Sequence, residues 1–310
     1  MKYAAISAGF SWIFVNFFIS ILGIDFWPDI TAYENNFRDS YYYYQALQAG
    51  PIEFFTKEIL WLYVVRWIMS FNLTTVQSLY IISLISCSII SYFVTINTRK
   101  FYSPLLLINP IFVDFIIGQG RSSFAVAIFF VALMVRSEAL RIAMIIAASA
   151  IHFSIPLFAG FYYFFVVVNQ SQARLRIRDN KRSWFAIAFG VAFTFEFLRT
   201  LILTALNDTR AEAQLDQNPS ILLALGFLLF IVTYAVTSRN RKPSFAYFFY
   251  TVNALLFFFA TIKGVYASRY VAVSYAMLCM MQANQSRFGQ LLLGAHMAAF
   301  SAVYFAFWFP

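Results

Sequence analysis

GQGRSSFAVAIFFVALMVRSEALRIAMIIAASAIHFS, residues 118–154, sets the reading of the whole chain. It holds two apolar runs, one opened by Arg121 and the other closed by His152, with Arg136 and Arg141 between them. In a chain with only 11% charged residues, an arginine and a histidine bordering apolar helices are costly to place. Such groups ordinarily mark a pathway, a site or a pairing partner.

Outward from that stretch the chain keeps the same character. It is 62% hydrophobic and 21% aromatic, with a mean hydropathy of +0.72, too apolar to fold around one soluble core. At roughly 20 residues per spanning helix, 310 residues fit about eleven crossings with short connections. The expectation is therefore an all-α, polytopic integral membrane protein, residues 1–310 forming a single transmembrane domain. Cys87 and Cys279 sit inside apolar runs, which excludes a disulfide framework and metal-ligand spacing. A net charge of +9 would suggest nucleic acid in a soluble protein, but here the basic residues fall at helix ends, where orientation accounts for them.

Apolar runs predict helices near 3–23, 75–97, 104–118, 122–135, 183–206, 220–237, 244–262, 269–281 and 288–308. The first reads as a retained helix, because no small-residue cleavage site follows it. Residues 24–74, rich in acids and aromatics, read as an outer loop, with an interfacial or partly embedded helix at 54–69. The run 142–168 is too long for one span and short for two, so a turn is expected at His152. With the amino terminus cytoplasmic, this threading puts Lys2, Arg99, Lys100, Arg136, Arg141, the 174–182 run, the 239–242 run and Arg287 inside. The 174–182 run fixes topology and touches anionic lipid. Residues 207–219 form a second outer loop.

Arg38, Lys57, Arg66, Arg121, Arg199, Arg210, Lys263 and Arg269 stay on the outer side against the orientation bias. Guanidinium forks match phosphate oxygens with paired hydrogen bonds, so an anionic ligand there, such as a lipid-linked phosphate or diphosphate, explains them.

Arg38-Asp39 with Tyr43, then Glu58 ahead of an apolar helix, form an acidic, tyrosine-bearing first outer loop. Asn109-Pro110 precedes the Arg121-led helix with its small Ala125 and Ala127; Ile151-His152-Phe153-Ser154 and Ser268-Arg269-Tyr270 follow. In this order the chain resembles the EpsG-like and Wzy-type polysaccharide polymerases, bacterial membrane enzymes of O-antigen, capsule and exopolysaccharide synthesis. The resemblance covers residues from about 38 to 270. It implies inverting glycosyl transfer between undecaprenyl-diphosphate-linked repeat units, as donor and acceptor, in an outward-facing cavity of the bacterial inner membrane. It also implies a chain-length regulator and a flippase of the same pathway as partners, with no cofactor.

Such a transfer needs the leaving diphosphate stabilised and the acceptor hydroxyl deprotonated. Arg121 and Arg269 are the choices for the diphosphate, with Arg210 or Lys263 as helpers, and arginines in that part make a metal unnecessary. For the base, His152 has an ordinary pKa of about 6.5, and Asp39, Glu58 or Asp114 are alternatives.

Each choice has a plainer reading beside it. Arg121 and Arg269 also suit headgroup anchoring, His152 a turn bonded to freed backbone, and Asp39 and Glu58 solvated loop acids. Asp114 is expected to pair with Arg121, and Glu196 with Arg199 one helical turn on. His296, inside the last span, reads as structural. The alternative function class is a transporter or flippase of a lipid-linked glycan, in which the same arginines bind a moving anion; a membrane acyltransferase using His152 is a third. No phosphate-binding glycine loop, zinc motif, nucleophile turn or internal repeat occurs.

Overall fold

The computed structural model describes residues 2–23, 59–175, 180–205, 220–238, 244–263 and 268–308, and among these every regular element is helical. In chain order they are α1 (Lys2–Leu22), α2 (Ile59–Met69), α3 (Thr75–Thr98), a 3-10 turn (Ser103–Leu107), α4 (Pro110–Val113) and a π-helical turn (Asp114–Gly118). There follow α5 (Gly120–Met134), α6 (Glu138–Ile151), α7 (Ile155–Leu175), α8 (Lys181–Ala205), α9 (Ile221–Thr237), α10 (Phe245–Ile262), α11 (Ser268–Ala283) and α12 (Arg287–Trp308). Asp39, Glu58 and Arg210 lie outside the described residues, as do most of the outer loop 24–74 and all of 207–219.

Local chemistry explains where the helices start. Thr74 accepts from the Gln77 amide at 3.2 Å while Gln77 returns its side-chain oxygen to the Thr74 amide at 2.9 Å, a reciprocal cap on α3. Ser137, Ser220 and Ser244 accept from the third residue on and so cap α6, α9 and α10. At the other end of α3, Arg99 takes a left-handed φ of 57° and its amide closes on Thr95.

Among the described residues four helices are long and apolar enough to cross a membrane: α1, α3, α10 and residues Arg287–Phe307 of α12. A fifth is added if the bent pair Pro110–Gly118 and Gly120–Met134 counts as one span. This corrects the expectation of about eleven crossings, which took all the apolar runs but 54–69 for spans. With 11, 14, 15 and 17 residues, α2, α6, α5 and α9 rise only about 16 to 26 Å at 1.5 Å per residue, short of a core of about 30 Å. α8 has 25 residues but carries Lys181, Arg182, Glu196 and Arg199. The outer surface nonetheless suits lipid, with side chains such as Val236 and Phe307 each 80% exposed.

The chain divides into two compact units, Met1–Leu105 with Phe112–Phe161, and Leu106–Ile111 with Tyr162–Pro310. In the first, α3 packs on α1 and α5, and α5 on α6. α3 and α5 run parallel: Ser83 donates to the Ile116 carbonyl at 3.0 Å near their starts, and Phe93 stacks on Phe130 at 4.4 Å further along. α1 runs against them, its Asn16 accepting from Tyr80 at 3.0 Å, and Ser11 lying beside Cys87. α6 turns back on α5 through residues 135–137. Arg141 stitches that turn, donating to the carbonyls of Val135 (2.8 Å) and Ala132 (3.4 Å) and pairing with Glu138. One end of this unit therefore gathers Lys2, Arg99, Lys100, Arg136 and Arg141, and the opposite end gathers the starts of α3 and α5 with the close of α6.

The second unit is built around α10, buried without a break from Ala246 to Phe257, as an all-apolar helix must be. α8 runs parallel to it, since Tyr247 lies by Lys181 and Lys263 by Glu196. α9 runs antiparallel, with Tyr234 stacked on Tyr247 at 5.3 Å and the Phe227 carbonyl accepting from Tyr250 at 3.0 Å. α12 lies against α9, the Phe300 ring packing on Phe227 at 5.0 Å and on Phe230 at 5.3 Å. Glycine makes room for that ring, because a Cβ at Gly226 would stand 2.4 Å from the Phe300 edge. Gly226→Ala is thus expected to cost about 1–3 kcal/mol through overpacking, read as a lower Tm in detergent. Gly190→Ala on α8, with nothing within 4 Å, is the control and should leave Tm unchanged or raise it.

Candidate functional site

The first unit carries its polar chemistry where the 110–134 segment breaks. The two halves meet at 100°. The π-turn ends at Gln119, whose backbone N–H closes on the Asp114 carbonyl at 3.1 Å, and the chain then restarts as α5. π-turns inside helices commonly sit at functional sites, since the extra residue turns side chains out of register. Gly118 is needed here: a Cβ on it would lie 2.7 Å from Asp114 Oδ1, so the carboxylate lies across the space that a side chain would fill. The other carboxylate oxygen, Oδ2, accepts from Gln119 Nε2 at 2.7 Å. Asp114 therefore takes this hydrogen bond from Gln119, a residue the sequence reading passed over. Its flanking glycines, in Gly118-Gln119-Gly120, were the available signal.

Because the Gln119 side chain turns back to Asp114, it makes no cap bond to α5. The positive end of α5 then faces the break, with Arg121 second in the helix and half-buried. The start of this helix packs by Leu79 and Trp61, which lie 3.8 and 3.9 Å from where a Cβ on Gly120 would stand, ordinary contact distances.

His152 closes α6 at the same end of the unit, because α6 folds back antiparallel along α5. It is 7% exposed, and its ring is fixed by the next turn. The Ser154 backbone N–H donates to Nδ1 at 3.1 Å, and the Ser154 hydroxyl lies 2.8 Å from the same nitrogen. An amide N–H only donates, so Nδ1 carries no hydrogen and the neutral ring holds its hydrogen on Nε2. Nδ1 is thus occupied within the turn. The sequence offered His152 as the base; the turn holds its ring at the end of the unit where α5 begins.

Substitutions separate the cap from the donor. Asn at 152 keeps an acceptor where Nδ1 stands, so His152→Asn should hold Tm, whereas His152→Ala should lose about 1 kcal/mol with the turn. If the Nε2 hydrogen matters to function, His152→Asn loses activity at wild-type stability. Full activity in His152→Asn would reduce the residue to its turn.

In the second unit, Arg269 stands exposed at the start of α11. Lys263 caps α10 and reaches the buried Glu196, its Nζ 3.2 Å from the carbonyl and 3.6 Å from Oε1. That links α8 to α10 and commits much of Lys263's charge; the Arg199 side chain, expected beside Glu196, lies outside those described. Asn109, buried, is a structural joint: it accepts from the Ile111 amide at 3.0 Å and donates to Ser301 at 2.8 Å. His296 is structural as expected, bonded to Thr233 at 3.2 Å and set against Phe230. Among the described residues no group of three or more His, Cys, Asp or Glu side chains gathers to hold a metal.

No family model, curated protein or solved structure matches this chain.

Proposed function

We propose that the chain is a glycosyltransferase of the membrane, joining undecaprenyl-diphosphate-linked oligosaccharide repeat units in a cavity open to the outer face of the bacterial inner membrane. The observation that carries this reading is that Arg121 stands second in α5, at the helix end that turns positive charge toward a break in the apolar segment. The end opposite gathers Lys2, Arg99, Lys100, Arg136 and Arg141, the side that faces the cytoplasm under the positive-inside rule. That orientation puts the amino terminus inside and the break outside.

In the reaction the acceptor hydroxyl oxygen attacks the anomeric carbon of the donor sugar. The bond from that carbon to the diphosphate oxygen breaks, undecaprenyl diphosphate leaves, and the hydroxyl proton passes to a carboxylate. Arg121 holds the diphosphate as its charge grows, with His152 at the same end of the unit. Arg269, Arg210 and Lys263 are the other cations proposed from the sequence for an anionic ligand, and Lys263 is tied to Glu196. Asp114, Asp39 and Glu58 are the proposed bases. A chain-length regulator and a flippase would act beside such an enzyme.

The break also supports a second reading. Interrupted helices whose half-helix starts face an anion occur in transporters, where the anion moves and is not a leaving group. Glycan laddering on gels distinguishes the two. Cells lacking the chromosomal copy are expected to regain a ladder with the wild-type chain. A chain that moves a lipid-linked glycan across vesicles but never builds a ladder is a transporter.

A further inference from the structure

We propose that the outer leaflet of the bilayer is drawn down beside α6, so that headgroups and water reach the break about 6–12 Å beneath the level at which they meet α1 and α3. This requires only that the first unit spans a bilayer, and it holds whether the break serves transfer or transport.

The helices of that unit differ in reach. α1 with 21 residues and α3 with 24 rise about 31 and 36 Å, enough for a hydrocarbon core of about 30 Å. α5 and α6, with 15 and 14 residues, rise only about 22 and 21 Å. The half that precedes α5 adds little height, since it is bent away by 100°.

Contacts between the helices show which end falls short. Phe93 stacks on Phe130 near the last turn of both α3 and α5, so the ends that carry Arg99 and Arg136 are level. At the other end Ser83 donates to the Ile116 carbonyl at 3.0 Å, and Leu79 lies 3.8 Å from where a Cβ on Gly120 would stand. The break therefore sits between the levels of Leu79 and Ser83, about 6–12 Å along α3 from its start at Thr75. His152 shares that level, because Arg141 reaches the Ala132 carbonyl at 3.4 Å and α6 runs back from there along α5, which brings His152 opposite Arg121. The shortfall is on the outer side, and both polar residues stand in it.

Lipid meets this short side directly, for Leu140, Ile142 and Ile146 of α6 are exposed, as is Phe153 just beyond its end. An apolar stretch shorter than the core is met by long cations reaching out to the headgroups or by thinning of the bilayer. At the inner end Arg136 is exposed and can reach out. At the outer end α6 closes in the buried His152 and the half-buried Ser154, neither long enough to reach up, so the leaflet comes down. Tilting cannot restore the height, because a tilted helix spans less. A leaflet of full depth there would also set Arg121 in hydrocarbon, where a charge is costly.

The test uses single added cysteines, since Cys87 and Cys279 are buried and wild type is expected to take no label. The full chain is placed in nanodiscs of dioleoyl phosphatidylcholine and treated with a sulfonated maleimide, which stays out of hydrocarbon. Phe153→Cys replaces a ring 53% exposed at the outer end of α6, and Phe17→Cys replaces one 54% exposed on α1. The two stand at similar height, since Phe17 follows the Asn16 that Tyr80 bonds at 3.0 Å. Phe153→Cys is expected to label at least about tenfold faster than Phe17→Cys, because only the first is out of hydrocarbon. Ile146→Cys, 52% exposed and about 10 Å further along α6, should label as slowly as Phe17→Cys. Two labels on one chain would report that a variant has let Cys87 or Cys279 out; Pro156→Cys, exposed at the start of α7, then repeats the reading. Equal rates at positions 17 and 153, whether fast or slow, would overturn the proposal.

Discussion

Arg121→Ala is expected, on the proposed glycosyl transfer, to leave a folded, membrane-inserted protein that builds no polymer, so that single lipid-linked repeat units accumulate in place of a ladder. Arg121 is half-buried at the first turn of α5, with its chemistry at the break and its backbone in a regular helix, so truncation should spare the packing of α3, α5 and α6. Removing one preorganised donor from a developing anion costs on the order of 10²–10³ in rate, enough to erase a ladder. Arg121→Lys separates charge from shape. An ammonium keeps the field but not the fork, so a partial ladder of short chains is the expected result. A full ladder in Arg121→Ala at normal protein levels would remove Arg121 from the site and leave it the role of a headgroup anchor.

Gly118→Ala carries the second largest expected effect. The added methyl would stand 2.7 Å from Asp114 Oδ1, and the nearest relief is rotation of the carboxylate, which breaks its bond to Gln119 Nε2. The π-turn would then lose the side-chain tie that turns Gln119 away from the start of α5. A stability loss of about 1–3 kcal/mol is expected, together with a fall in polymerisation of more than about tenfold as the α5 start shifts. Asp114→Ala gives the check. If the clash is the cause, Gly118→Ala should add little in that background, so Tm and ladder length would be strongly non-additive. Full additivity would place the effect of Gly118 elsewhere.

Helix positions were largely legible in the chain. α3, α6, α9 and α10 each follow a serine or threonine cap, and their apolar runs coincide with the helices to within a few residues. Caps and apolar runs are local, so a single sequence displays them. The turn at His152 was legible for the same reason, a Pro and a polar pair interrupting a run too long for one helix. The shared end of Arg121 and His152 followed from the short 135–137 connection, which forces α6 back along α5.

The number of crossings was not legible, because hydropathy cannot tell a span from a short helix buried among others: both are apolar on all sides. Nor were the polar pairings. The contact between Glu196 and Lys263, 67 residues on, could not be read from the chain, because it needs α8 and α10 to lie parallel. The bond from Gln119 Nε2 to Asp114 was not in view either, because it depends on the π-turn.

His152 shows the division most clearly. Its presence beside an apolar run could be read from the chain and marked it as a candidate. Which of its nitrogens holds the hydrogen depends on how the next two residues bend, and that bend brings the Ser154 amide onto Nδ1. The sequence by itself determined the class of protein, the helices and the scarce polar residues, since those follow from composition and from contacts a few residues apart. Only the tertiary structure decided what each polar residue bonds to, and so its chemistry, because a hydrogen bond needs two groups within about 3 Å at a fixed angle, and helix packing sets that geometry.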